Sequence, residues 1–485
     1  MPARNAKKKK IRPATSNAQS LTLEKVPTGI RGLDQVTHGG FPKGRTALVC
    51  GGPGAGKTLL GLEFLVRGAV LYNEPGVCLA MEETAEEIVT NMASLGYDLP
   101  SLIKARKLVI DYVHVERKQI EETGEYNLEG LFIRLRAAIE QVQAKRVLLD
   151  TIELLFLGLK NEGLVRAELR RLFHWLKDAG VTAVITAEVG DRTLTRYGLE
   201  EYVADCVIIL DHRVNEQVST RRLRVMKYRG SSHGTNEYPF LIDDEGISVV
   251  PITSLGLSHT ASTERISSGI PSLDRMLSGK GFFRASSVLI TGTAGTGKSI
   301  FANAFANAAC ARGERALYFA YEESPSQILR NMGSVGINLE RWMKRGLLNI
   351  HATRPTAAGL ESHLSDMYHQ IQEFKPDVVV VDPITNLVSA GDIHSAKAML
   401  TRLIDFLKLK NITAIFTNLV FGTDIEETAI GISSLMDAWM VLRDKPQGGR
   451  ERIRTLNLLK CRGMAHDMQM HTFNLSDKGI HIHGD

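Results

Sequence analysis

Cysteine is scarce in this 485-residue chain, and its five copies stand singly at Cys50, Cys78, Cys206, Cys310 and Cys461. With no CxxC pair and no histidine at ligand spacing, they argue against a metal site or a disulfide framework and read as buried thiols of a reducing cytosol. Aromatic residues make up only 6% of the chain, which leaves little from which to build a stacking platform for single-stranded nucleic acid. No apolar run approaches the ~18 residues of a membrane span. A broad field of one charge is also missing. The net charge is +5, and the first dozen residues alone carry Arg4, Lys7, Lys8, Lys9, Lys10 and Arg12 without an acid. That arm, residues 1–20, has neither the apolar core of a signal peptide nor the period of a transit helix. It reads as a solvated segment, or as a contact for nucleic acid or an acidic partner. What remains is a soluble, cytoplasmic chain, 44% hydrophobic, long enough for two or three domains.

Two complete phosphate-binding loops are present. The first runs Gly51, Gly52, Pro53, Gly54, Ala55, Gly56, Lys57, Thr58, and the second Gly292, Thr293, Ala294, Gly295, Thr296, Gly297, Lys298, Ser299. Each follows a short apolar run and opens an apolar-periodic helix, from Lys57 to about Tyr72 in the first copy, the context that makes the motif credible, and Leu59 and Ile300 after the loops are expected to join the nucleotide sites. The glycines let successive backbone N–H groups curl around phosphate oxygens, the lysine neutralises charge, and the hydroxyl after it is placed for Mg²⁺. Both loops are expected to bind ATP with Mg²⁺.

The halves repeat each other well beyond these loops. With the two lysines superposed, residues 27–44 answer 267–285, LAMEET (79–84) answers FAYEES (319–324), and RVLLD (146–150) answers VVVVD (378–382). KYRGSSH (227–233) likewise answers KCRGMAH (460–466), and 243–250 answers 476–483. Each copy alternates apolar strands with amphipathic helices, expected in the first copy over 128–142 and 164–180 as well as after the P-loop, so the fold class is α/β: two tandem P-loop domains, each a mostly parallel sheet flanked by helices. The domains are expected at 21–250 and 265–485, joined by a linker at 251–264.

Asp150 and Asp382 end apolar strands in register with the P-loops, as an outer-shell metal carboxylate requires. The metal set is therefore expected to be Thr58 and Asp150, then Ser299 and Asp382. Two further pairs of acids, Glu82 with Glu83 and Glu322 with Glu323, are expected to end the next strand. A carboxylate there could take a proton from attacking water or a hydroxyl. The alternative is a pair of acids placed for a helix dipole.

These features together resemble the KaiC family of RecA-type ring ATPases and autokinases: P-loop, strand with a Glu-Glu end, Walker B strand, and K-x-R-G with a following histidine, all duplicated. Residues 195–205 (TRYGLEEYVAD) and 416–437 (FTNLVFGTDIEETAIGISSLMD) are also similar to segments of that family. The resemblance implies two tandem RecA-like domains and a homohexamer with each nucleotide clamped between subunits. Lys227, Arg229 and His233, then Lys460, Arg462 and Gly463, would contact the bound nucleotide. A basic strand edge is the alternative reading of these segments. The resemblance further implies slow hydrolysis in the first domain and autophosphorylation in the second, at Ser433 and Ser434, where the family carries Ser-Thr. Ser433, Ser434 and Thr428 stand where the first copy has Glu201, Tyr202 and Arg196, so serine and threonine hydroxyls at this place belong to the second copy alone. Two serines lining a turn are the alternative.

Because the chain stops at Asp485, regulation by a KaiA-type partner is not expected. Residues 127–142 resemble the family's region near a KaiB-docking surface, which leaves a KaiB-like or signalling partner open, and no circadian oscillator is inferred. A DNA-dependent RecA-type motor and a nucleotide-gated scaffold are the rival functions. The first lacks a basic, aromatic cluster, and the intact glutamates argue against the second.

Overall fold

The computed structural model describes residues 23–113, 128–156, 161–190, 195, 204–215, 218–251, 261–420, 431–447 and 451–483. The basic arm, most of the linker, Arg196, Glu201, Tyr202 and Thr428 lie outside the described residues.

Each half is built on a nine-stranded sheet, and the strand orders are the same. In the first, the parallel part runs Leu108–Tyr112, Gly76–Ala80, Arg146–Asp150, Thr182–Glu188, Thr46–Gly51 and Cys206–Asn215. Three antiparallel strands follow, Val218–Tyr228, Glu237–Asp243 and Gly246–Val249. In the second, the parallel strands are Leu348–Ala352, Ala316–Ala320, Val378–Asp382, Thr413–Leu419, Ser287–Gly292 and Ala438–Gln447, and the antiparallel edge is Glu451–Cys461, His471–Ser476 and Gly479–His483.

The parallel strands are apolar on both faces because helices cover both. In the first domain the helix after the P-loop, Lys57–Leu71, packs Leu60, Phe64 and Leu65 against Val49, Cys78 and Leu148 on one face. The helices Glu129–Val142 and Glu162–Asp178 bury Leu131, Leu135, Leu169 and Leu172 against Leu48, Leu79 and Leu149 on the other. At roughly 1.5–3 kcal/mol for each large apolar side chain removed from water, these two layers supply the main driving force for each domain. The second domain repeats the arrangement with Phe301 and Phe305 on one side and Leu364, Leu400 and Leu403 on the other. All five cysteines are free and buried, in agreement with the sequence reading.

The domains touch directly. Val250 at the end of the first domain joins the second domain's core, and Ser248 Oγ lies 2.6 Å from His369 Nε2. Among the described residues no helix is long and apolar enough to cross a membrane.

Candidate active sites

Both P-loops bend back between strand and helix, and the bend depends on two glycines. A Cβ on Gly51 would stand 2.8 Å from the Leu210 carbonyl oxygen, and one on Gly292 2.7 Å from that of Leu442, so neither position accepts a side chain. Gly56 and Gly297 hold φ near +96° and +101°, in the left-handed region that glycine enters freely. The loop therefore ends with free N–H groups at a helix N-terminus, a ready anion site. Lys57 Nζ folds over its loop, donating to the carbonyls of Gly51 at 2.9 Å and Gly52 at 3.0 Å, and Lys298 Nζ donates to Thr293 O at 2.8 Å. Burial lowers the Lys298 pKa, while Asp382 and Glu322 pull it back up.

The expected metal residues converge in the first site. Thr58 Oγ1 donates to both Asp150 oxygens, at 3.2 and 3.0 Å, and Thr186 Oγ1 donates to Asp150 Oδ1 at 2.6 Å. Asp150 is only 2% exposed, so burial raises its pKa against the pull of the two threonines. Two hydroxyls and a carboxylate form an all-oxygen donor set that suits Mg²⁺ held partly through water. In the second site Thr417 and Tyr318 both donate to Asp382, and no hydrogen bond joins it to Ser299. Ser299, Lys298, Gly295, Gly297, Glu322, Glu323 and Asp382 line one cavity of about 290 Å³.

The paired acids sit differently from the expectation. The strands end at Ala80 and Ala320, so the acids lie beyond them in a bend, and the helices begin after Thr84 and Ser324. Each of those residues forms a capping box, with Glu87 or Gln327, that already satisfies the helix N-terminus. The acids are thus not needed as caps, which weakens the helix-dipole alternative. Within each pair one member is tethered: Asn91 Nδ2 donates to Glu83 at 3.3 Å and Asn331 Nδ2 to Glu323 at 2.8 Å. Burial and the nearby Asp382 raise the pKa of Glu323. Glu82 is exposed and accepts from Thr151 Oγ1 at 3.2 Å. Thr186, Thr417, Asn91 and Asn331 escaped the reading of the sequence, although each recurs at matching positions of the two copies.

The basic segments lie elsewhere. Lys227 pairs with Val207, which pairs with Leu48, and Arg229 N–H donates to Asp205 O at 2.8 Å. Lys460 pairs with Trp439 beside Leu289, and Arg462 N–H donates to Asp437 O at 2.7 Å. Asp205 and Asp437 in turn bond the first residues of the P-loop strands, Thr46 and Ser287. At ~3.3 Å per residue, Arg229 and Arg462 stand about 17 Å along the strand from the P-loop of their own domain. Ser433 and Ser434 occupy this same end. Lys460 Nζ donates to Ser433 O at 2.9 Å and to Ser434 O at 3.3 Å, and Arg462 donates to Ser434 O at 2.7 Å. Gly463 follows in the turn, and His233 stacks beside Tyr228 with ring centroids 6.2 Å apart.

One chain therefore carries two P-loops at one end of its sheets and the cations and serines at the other. Comparison with known proteins matches this architecture twice: the family described as "ATPase: KaiC" covers residues 26–254 and again 266–485. The chain belongs to the KaiC ATPase family. It is 56% identical over 471 residues to the circadian clock protein KaiC2 of Synechocystis sp., an alignment spanning 96% of this chain and 83% of that one. It is 38% identical over 464 residues to the circadian clock oscillator protein KaiC of Parathermosynechococcus lividus, covering 95% and 85% of the two chains. The KaiC of Synechococcus elongatus is 37% identical over 471 residues, covering 96% and 90%. Membership in this family makes the two sheets tandem RecA-like ATPase domains, as the sequence reading expected.

Proposed function

We propose that the protein works as a homohexameric ring in which each nucleotide lies between the P-loop of one subunit and the K-x-R segment of the next. Its first domain hydrolyses Mg-ATP slowly, and its second transfers the γ-phosphoryl group to Ser433 and Ser434, so that the ring acts as a timing or signalling switch. The observation that carries this reading is the separation within one chain. Lys227, Arg229, Lys460, Arg462 and both serines are too far along the strand to serve their own P-loop, which supports their serving the nucleotide of a neighbour.

In this reading the loop N–H groups, Lys57 and Lys298 bind the β- and γ-phosphates. Thr58 with Asp150, and Ser299 with Asp382, hold Mg²⁺, which when bound offsets phosphate charge. Glu82 or Glu83 orients water and accepts its proton, and Glu322 or Glu323 does the same for a serine hydroxyl. The serine oxygen forms its bond to the γ-phosphorus as the bond to the ADP oxygen breaks, and the proton passes to the glutamate. Arginine supplied from the neighbour stabilises the developing charge, an effect worth about 10³–10⁵ in rate. Since the relatives are named as clock proteins, a timing role is the natural output, and the helix Glu129–Val142 is the candidate surface for a KaiB-like or signalling partner.

Light scattering with and without Mg-ATP, followed by phosphopeptide mass spectrometry, tests the proposal. The expected outcome is a hexamer that gains phosphate on Ser433 or Ser434. A hexamer that hydrolyses ATP but never gains phosphate there removes the kinase, and a monomer that is fully active removes the shared site.

A further inference from the structure

The two metal carboxylates are held by donors of different kinds. Asp150 is held by Thr58, itself an expected metal ligand, so that bond survives when the threonine oxygen turns to a cation, because the hydroxyl proton still points at the carboxylate. Asp382 is held on Oδ2 by the Tyr318 hydroxyl. Tyr318 is 1% exposed and does not line the cavity that Asp382 faces, so it reaches the carboxylate from beneath and cannot itself touch a bound ion. Its orientation is also determined. Asn303, equally buried, donates from Nδ2 to the Tyr318 oxygen at 3.2 Å and to Ser299 O, in the first turn of the P-loop helix, at 2.8 Å. With its oxygen accepting from Asn303, the single phenolic proton goes to Asp382. The first domain has Leu62 and Cys78 at the positions of Asn303 and Tyr318, and neither can supply this relay.

We propose that Tyr318, aligned by Asn303, is a positioning residue that raises the Mg²⁺ demand of the second nucleotide site relative to the first, a proposal that rests on reading both loops as Mg-ATP sites. The physical reason is competition for one acceptor. A hydrogen bond to a charged group is among the stronger ones in a protein. The Oδ1 atoms are alike, each accepting from a threonine, Thr186 or Thr417, but water on a metal must share Asp382 Oδ2 with the phenol, whereas at Asp150 Oδ2 the competing donor, Thr58, belongs to the metal's own shell. The consequence is a division of metal affinity between two otherwise matched sites, with the second domain charged with Mg-ATP only at higher free Mg²⁺.

The test is photolabelling of the full chain with 8-azido-ATP over a Mg²⁺ titration, with labelled peptides mapped to each domain. The wild type should need roughly 3- to 10-fold more Mg²⁺ for half-maximal labelling of the second domain than of the first. Tyr318→Phe should lower the second value toward the first and leave the first unchanged in the same sample. Asn303→Leu, which frees the phenol without removing it, should shift the second value the same way by less, and serves if the tyrosine variant folds poorly. A Tyr318→Phe protein whose melting temperature falls while its Mg²⁺ midpoints stay put would make the tyrosine merely structural and overturn the proposal, as would equal shifts in both domains. Absence of label at both loops would instead remove the nucleotide reading and this proposal with it.

Discussion

The two nucleotide sites share a backbone almost residue for residue, yet their polar interiors diverge. In the first domain Thr58, Thr186 and Thr151 form a threonine network around Asp150 and Glu82. In the second, Pro383 replaces Thr151 and Tyr318 replaces Cys78, so Asp382 is held by a phenol and Glu322 has no matching hydroxyl from that position. The lesson is that duplication conserved what the phosphates need, namely loop, lysine and strand-end acid, while the groups that hold the acids were free to change. Two sites of one ancestry can then differ in rate and in metal dependence while both keep the motif intact.

The most severe way to break the equivalence of the sites is to remove the remote cation. Arg229→Ala is expected to cut first-domain hydrolysis by about 10³-fold, and Arg462→Ala to cut second-domain phosphoryl transfer by a similar factor, corresponding to ~4 kcal/mol of transition-state stabilisation. The decisive measurement is complementation. Subunits carrying Lys298→Ala cannot use their own second loop but keep Arg462, and subunits carrying Arg462→Ala keep their loop. Mixed before assembly, they should recover second-domain activity that neither has alone. Recovery would fail if each site were completed within one chain.

Much of this was legible in the sequence because the chain contains its own comparison. The P-loops, Asp150 with Asp382, and the K-x-R segments recur, and the strands and helices between them followed from apolar runs and helical spacing. The helix predicted from Lys57 to about Tyr72 ends at Leu71, and the one expected over 164–180 spans Glu162–Asp178. The glutamate pairs were misjudged as strand ends because the capping boxes at Thr84 and Ser324 turn the chain earlier than the hydropathy pattern indicates. Tyr318 could not be found at all. It occupies an ordinary position in an apolar strand, and only the neighbouring strand and the P-loop helix reveal that its hydroxyl has an acid above it and an amide beside it.

A second difference concerns stability. Arg146 is fully buried in the first domain, where its guanidinium donates to Glu74 at 2.7 Å, to Phe64 O at 2.9 Å and to Pro27 O at 2.8 Å and lies over the Phe64 ring. The matching residue in the second copy is Val378. Glu74→Ala leaves a buried cation with only carbonyl partners and should destabilise the first domain by about 1–2 kcal/mol, less than a fully buried pair because Glu74 is partly exposed. Chemical denaturation followed by a first-domain tryptophan, Trp175, should register the loss, while the second domain's transition should not move. A smaller kinetic effect is expected from Thr151→Val, which removes the hydroxyl that holds Glu82. First-domain hydrolysis should fall ~2- to 10-fold, the equivalent of one lost hydrogen bond, with phosphoryl transfer to the serines unchanged. An equal loss in both domains would mean that Thr151 acts through assembly and not through Glu82.

The smallest effect separates the domains by pH. In the second domain His351 Nε2 bonds Asp366 Oδ2 at 2.8 Å, and that hydrogen bond raises the imidazole pKa above its usual value near 6.5 against the opposing effect of burial. The histidine binds its proton more tightly folded than unfolded, so the pair's contribution is complete below the unfolded pKa and is lost as pH rises through the folded one. The pair is partly exposed, so the effect should be modest and weakened by salt. Asp366→Asn removes the carboxylate, and the difference between wild-type and variant denaturation midpoints should be greatest near pH 6 and shrink toward pH 8. The first domain aligns Asp111 with His351, so the contact there is between Asp111 and Arg134 and contains no imidazole. Its transition should therefore show no matching change, and a midpoint difference that stayed constant with pH would assign the Asp366 contact to packing alone.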